Sequence, residues 1–172
     1  MNKSKTIKLK ELLLQYATYN VWANHRIADV MNGMDSQLQN TTIESSFGSL
    51  RGTIQHLTNA ESIWWQRMKL VELPHAFDDQ DMPLELMNKK LLEFSNQWKE
   101  WIEKSAPNAL EHEFLYHNTK KEQFKQPVYQ MLLHLFNHQT YHRGQLVIML
   151  KQLGVEKIPP TDFIVWSRSA KH

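Results

Sequence analysis

The chain has 172 residues, with 20 Lys and Arg against 18 Asp and Glu for a formal charge of +2, nine histidines and no cysteine. That length suits one domain over residues 1–172 with a core of its own, and the lack of cysteine excludes disulfides, thiolate nucleophiles, iron–sulfur clusters and cysteine-ligated zinc. Imidazole and carboxylate remain as metal ligands, while the small, scattered charge argues against a nucleic-acid groove or a membrane surface as partner.

The opening MNKSKTIKLKELL has no apolar core followed by a small-residue cleavage site, so no secretory leader is expected. From residue 7 to 33 the positions Leu9, Leu13, Tyr16, Ala17, Asn20, Ala23, Ile27 and Met31 keep to one helical stripe without a proline, and Gly33 supplies a stop. Asn20 and Asn24 fall on or beside that stripe. Facing inward, they either satisfy backbone groups or line a pocket.

The polar run Asp35–Phe47 predicts a connecting loop, after which Ser49 can cap a second helix to about Lys69. Its inner face carries Thr53, His56, Asn59, Ala60 and Ile63, with Trp64 or Arg67 depending on rotation. Gly52 and Ala60, one turn either side of His56, would leave space around its ring. A lone histidine on such a face is a satisfied core residue, or one member of a ligand set completed elsewhere. Between Val71 and Met82, the residues Asp78, Asp79 and Asp81 lack the alternating spacing and closing glutamate of a calcium loop, so a solvated loop is expected.

Pro83 suits the first turn of a third helix to about Lys104, with Leu84, Met87, Leu91, Phe94, Trp98, Trp101 and Ile102 as its core stripe. At about 111–126 the chain reads as a short β-hairpin or an extended excursion, with His112 and His117 solvated at its edge. Pro127 opens a fourth helix that stops at Gly154 and holds His134, His138 and His142 at intervals of four. Apolar neighbours almost all round place it inside a bundle.

Imidazoles at that spacing stack on one side of a helix, where a pair can share a metal ion or each can bond a neighbour. Each unsatisfied buried polar group costs about 1–3 kcal/mol, so a shared partner is the economical explanation. The stretch Met131–Leu150 is the longest apolar one, yet Arg143 and other polar side chains interrupt it, so no bilayer span and a cytoplasmic location are expected. The tail with Phe163, Ile164, Val165 and Trp166 should fold back onto the bundle or onto a second subunit. The expected fold is all-α: a four-helix bundle with a long crossover between helices three and four. No G-x-S-x-G elbow occurs, and the fourth helix lacks the Glu-x-x-His pairs of di-iron bundles.

Four stretches together, YATYNVWANHRI, TIQHLTNAESIWWQR, LLHLFNHQTYHRGQL and PPTDFIVWSR, resemble the DinB family within the DinB/YfiT-like four-helix metalloproteins. The resemblance implies a divalent metal held by one histidine of the second helix and two of the fourth. Carried across by motif, these are His56, His138 and His142, with His134 left behind the ligands or in the core. Three neutral imidazoles leave open positions on the ion, as in catalytic sites. Asn59, Tyr141, Gln145, Asn20 and Asn24 are candidates to steady the ligands. Arg143 is expected in a surface or inter-helix salt bridge, with an anchor for an anionic substrate as the weaker alternative. The turn TKKE carries Lys120 and Lys121 where relatives are expected to have a glycine.

Members of this superfamily include transferases and isomerases that use thiols such as bacillithiol or mycothiol. The resemblance thus implies a metal-dependent enzyme, a thiol-dependent S-transferase or hydrolase acting on a small-molecule substrate. The alternative is a non-catalytic metal-binding protein induced by DNA damage or stress. The expected metal is zinc or nickel, then iron or manganese, and the expected assembly a homodimer without nucleic acid or membrane.

Overall fold

The structure, a computed structural model, describes residues 8–77, 82–118 and 120–169. In chain order these form α1 (Leu9–Asn32), a short α2 (Ser36–Gln39), α3 (Leu50–Met68), α4 (Leu84–Lys104), a short α5 (Pro107–Glu111), strands β1 (Glu113–His117) and β2 (Gln123–Pro127), α6 (Val128–Gln152) and α7 (Phe163–Ser169). The four long helices fall within two residues of the spans expected from periodicity. The acidic stretch with Asp78, Asp79 and Asp81 lies outside the described residues.

Local chemistry explains the boundaries. The Ser49 hydroxyl accepts a 3.0 Å bond from the Gly52 amide and so starts α3. Gly33 closes α1 in a right-handed conformation, φ −82°, so its glycine freedom is not used there. Gly154, at φ +83°, ends α6 with its amide and that of Val155 bonded back to Lys151 and Leu150. The end of α3 repeats that arrangement through Leu70 and Val71, with leucine in the left-handed position at φ +57°.

Helix α1 packs on α4 and α6, and α3 packs on the same two, which closes a four-membered ring with α1 diagonal to α3. The crossover from α4 to α6 runs through α5 and the antiparallel β1–β2 hairpin, which pairs Glu113 with Pro127 and His117 with Gln123. Helix α7 folds back on α1, where Phe163 and Trp166 pack around Tyr19 and the Tyr19 hydroxyl donates to the Thr161 carbonyl at 2.7 Å. His112 and His117 are exposed, as expected.

The core divides into two apolar halves. One gathers Leu13, Ala17, Trp98, Ile102, Leu132 and Phe136, the other Ile27, Met31, Leu57, Met87, Leu91 and Leu146. On each long helix the residues between these halves are polar and buried: Asn20 and Asn24 on α1, Glu61 on α3, Ser95 on α4, Gln139 and Arg143 on α6. Helix α6 is not interior all round, because Leu133, Tyr141 and Ile148 face out from one side. Its apolar periphery on that side is an unpaired surface of this chain, which hydropathy alone does not separate from core.

A three-histidine centre at the rim of the bundle

Helices α3 and α6 bring His56, His138 and His142 together, with one ring nitrogen from each within 4.8 Å of the others. The Nε2 atoms of His56 and His138 are 2.9 Å apart, and those of His142 and His138 are 3.2 Å apart. Two ligand nitrogens at about 2.0–2.1 Å from one ion stand about 2.9 Å apart at a right angle and about 3.4 Å apart at the tetrahedral angle. The rings therefore converge as ligands of a single small cation would.

Proton accounting points the same way. The Oε1 of Gln145 lies 2.7 Å from Nδ1 of His142, so that nitrogen donates and leaves Nε2 with a lone pair. Nδ1 of His138 is buried without a partner. Burial, then the neighbouring charges of His142, His56 and His134, push the His138 pKa down to about 4, and burial and His142 lower that of His56. The Nε2 of His142 therefore offers a lone pair toward Nε2 of His138, and a divalent cation at the shared point would accept it together with lone pairs from His56 and His138. The donor set fits a metal.

Aromatic rings bound the site. Phe47 stacks on His56 with centroids 4.1 Å apart and meets His142 edge-on at 5.5 Å. The space expected beside His56 at Gly52 is thus taken: a Cβ on Gly52 would collide with the Phe47 carbonyl, so the glycine lets Phe47 reach the histidine. Sequence reading missed Phe47, although Gly48 in the left-handed region and Gly52 four residues on mark a tight approach there. Tyr141 stands edge-on to His142 at 4.9 Å while largely exposed.

The other residues singled out sit elsewhere. His134 is exposed rather than core, its ring against Trp64 at 5.5 Å and His138 at 5.9 Å, outside the convergent trio. Asn59 accepts from the Phe77 amide at 2.8 Å and fastens the loop after α3. Asn20 and Asn24 do not contact the histidines. Their Oδ1 atoms accept from Nη1 of Arg143 at 2.6 and 2.8 Å, while Nη2 donates to Thr140. Arg143 is therefore neither at the surface nor in a salt bridge: only 2 % of it is exposed and its partners are amides and the hydroxyls of Thr140 and Tyr19.

Asn20 also reaches Glu61 at 3.4 Å, Ser95 donates to the same Glu61 oxygen at 2.8 Å, and Asn24 reaches Ser95 and Gln139. Gln139 in turn donates to the Leu57 carbonyl beside His56. This network fixes α3 and α6 in the register that lets the three rings meet.

A family model described as the DinB family matches residues 1–170. Protein DinB of Bacillus subtilis (strain 168) is 26% identical over 153 residues, covering 84% of this chain and 87% of that protein. With the match running almost from end to end and a helical bundle carrying a three-histidine cluster, this chain belongs to the DinB family.

Proposed function

We propose that the chain is a metal-dependent enzyme in which His56, His138 and His142 hold one divalent ion, zinc or nickel first, and a small-molecule thiol or water takes its open positions. The observation that carries this reading is the convergence of three Nε2 atoms, two of the separations being 2.9 and 3.2 Å. An ion held there supplies Lewis-acid chemistry, lowering the pKa of a thiol or water that binds it.

The chain's own groups then have definite tasks. Gln145 holds the His142 ring with Nε2 inward. Phe47 covers one side of the trio and keeps water from it, and the largely exposed Tyr141 stands edge-on to His142. His56 and His138 are half-buried, so the approach to the trio stays open. That combination suits transfer of a thiol to an electrophile, or hydrolysis, better than a closed structural site. No helix among the described residues is long and apolar enough to cross a membrane, and a cytoplasmic homodimer fits this reading.

The test is elemental analysis of the full chain beside His142→Ala, followed by titration of the cobalt-substituted protein with small thiols. About one metal per chain, lost in the variant and with a spectrum shifted by thiol, is the expected result. Bound metal whose spectrum no thiol or exchangeable ligand perturbs would favour a non-catalytic metal-binding protein. No metal under any reconstitution would reduce the trio to core histidines.

A further inference from the structure

Away from the histidines, two adjoining cavities of about 300 and 520 Å³ open where the end of α3 meets β1 and the loop after α3. Arg67 lines both, together with Glu72 and His117, and Lys121 lines the larger. None of His56, His138 and His142 borders either cavity. This region is separate from the metal centre, and a ligand bound in it is independent of the function proposed above.

Arg67 is an incomplete pair. Its guanidinium carbon sits 4.6 Å from the Trp64 ring centroid and 5.7 Å from that of Tyr116, so two aromatic faces fix its position. Its Nε is buried with no hydrogen-bond partner, and among the described residues no carboxylate stands within ion-pair distance of it. Burial lowers its pKa, with Tyr116 pulling the other way, yet a guanidinium remains charged in any protein setting. A half-buried cation facing open volume calls for an anion.

The backbone adds an independent sign. Among the described residues the non-glycine positions with positive φ are Leu70 at 57° and Lys121 at 62°, and both line these cavities. That conformation costs an L-residue about 1–2 kcal/mol. Glycine would avoid the cost and remove the side chain, so the strain is retained where a leucine and a lysine are needed in place.

We propose that Arg67, with Lys121 and His117, is the anion-binding end of a second ligand site, which takes a small organic carboxylate or phosphate ester with an apolar body. The two Nη atoms at the end of the guanidinium match either headgroup through two parallel bonds, while the buried Nε lies out of reach of a ligand in the cavity. Leu70, Val71, Pro74 and Leu115 offer the apolar wall. Glu72 is exposed and borders both cavities, so its carboxylate opposes the ligand and sets a limit on affinity.

The experiment follows the Arg67 Nε–H and Trp64 indole N–H resonances of the full chain during titration with phenyl phosphate, hexanoate and inorganic phosphate, with benzyl alcohol and hexanol as uncharged controls. We expect phenyl phosphate or hexanoate to shift both resonances and to bind at least tenfold more tightly than its matching alcohol. Which of the two binds better identifies the headgroup. Arg67→Met should abolish the preference, Arg67→Lys should restore part of it, and Glu72→Gln should tighten anion binding. Charged and uncharged probes binding alike, or anions binding Arg67→Met as well as wild type, would overturn the proposal. Inorganic phosphate matching phenyl phosphate would overturn its apolar half. Should Arg67→Met fail to fold, Glu72→Gln decides: no gain in anion affinity there sinks the idea.

Discussion

Leu70 shows how a single residue can be illegible in sequence and plain in structure. Helices α3 and α6 end in the same pair of backbone bonds, but α6 uses Gly154 and α3 uses a leucine that is 71% exposed. Gly154 is readable as a stop because glycine is the residue that tolerates that turn. Leucine there carries no such mark. Replacing it should relieve about 1–2 kcal/mol of left-handed strain and cost about 0.5–1 kcal/mol in the extra freedom of unfolded glycine, with little packing lost at such exposure. Leu70→Gly is therefore expected to stabilise the fold by roughly 0.5–1 kcal/mol, read as a higher urea midpoint at unchanged slope. A lower midpoint would mean the side chain packs in solution in a way its exposure denies. The histidines pose the reverse case. Spacing singles out His134, His138 and His142 equally, and only the family motif ranks them. In the structure His134 is turned out toward Trp64 while the others converge on His56.

At the scale of elements, the spans of the long helices are legible because each buries a stripe at helical spacing between clear stops. The polar layer across their middle is not. Arg143 lies 100° round α6 from His142, a direction that reads as outward if the histidine line is the interior. The histidines occupy the rim, and that turn of 100° leads into the bundle. At the centre of the layer, burial raises the Glu61 pKa to about 8, against the hydrogen bonds from Ser95 and Asn20 and the charge of Arg143. Its Oε2 has no partner, and an ionised carboxylate would leave charge on that atom uncompensated.

A native carboxyl titrating near 8 and an unfolded one near 4.5 mean that the folded protein holds the extra proton between those values, so stability falls as pH rises through that window. His138, lowered to about 4 from 6.5, acts oppositely, adding stability as pH climbs from 4 through 6.5 and tapering off within about a unit above it. His56 and His134 are lowered as well and act in the same sense as His138, so between 6.5 and 8 the Glu61 effect is the difference from a variant that keeps these histidines. In chelator-treated protein, denaturation across that interval should show wild type losing up to about 2 kcal/mol relative to Glu61→Gln. Equal slopes in the two proteins would mean Glu61 is ionised and serves as the counter-charge of Arg143.

The whole molecule leaves one long surface unexplained by its own packing. Leu133, Tyr141 and Ile148 emerge on one side of α6 at spacings of eight and seven, with Gly144 beside them offering no side chain to obstruct an approach. Hydropathy places all of α6 inside because an apolar face that a partner could cover reads like one covered by the chain's own core. A homodimer formed by this face would bury those side chains, and it would bring the exposed Tyr141, whose ring touches His142, against a second copy. Ile148→Lys puts a charge into such an interface without touching any of the three histidines. Light scattering should then find the wild type at twice the chain mass and the variant at one, with metal content still near one per chain. A wild-type dimer unaffected by the lysine would assign the interface to another surface, and a wild-type monomer would leave the α6 face solvated. Partial loss of thiol response in the monomeric variant would follow if the partner holds Tyr141 in place, because an edge contact with His142 alone leaves so exposed a ring free to turn.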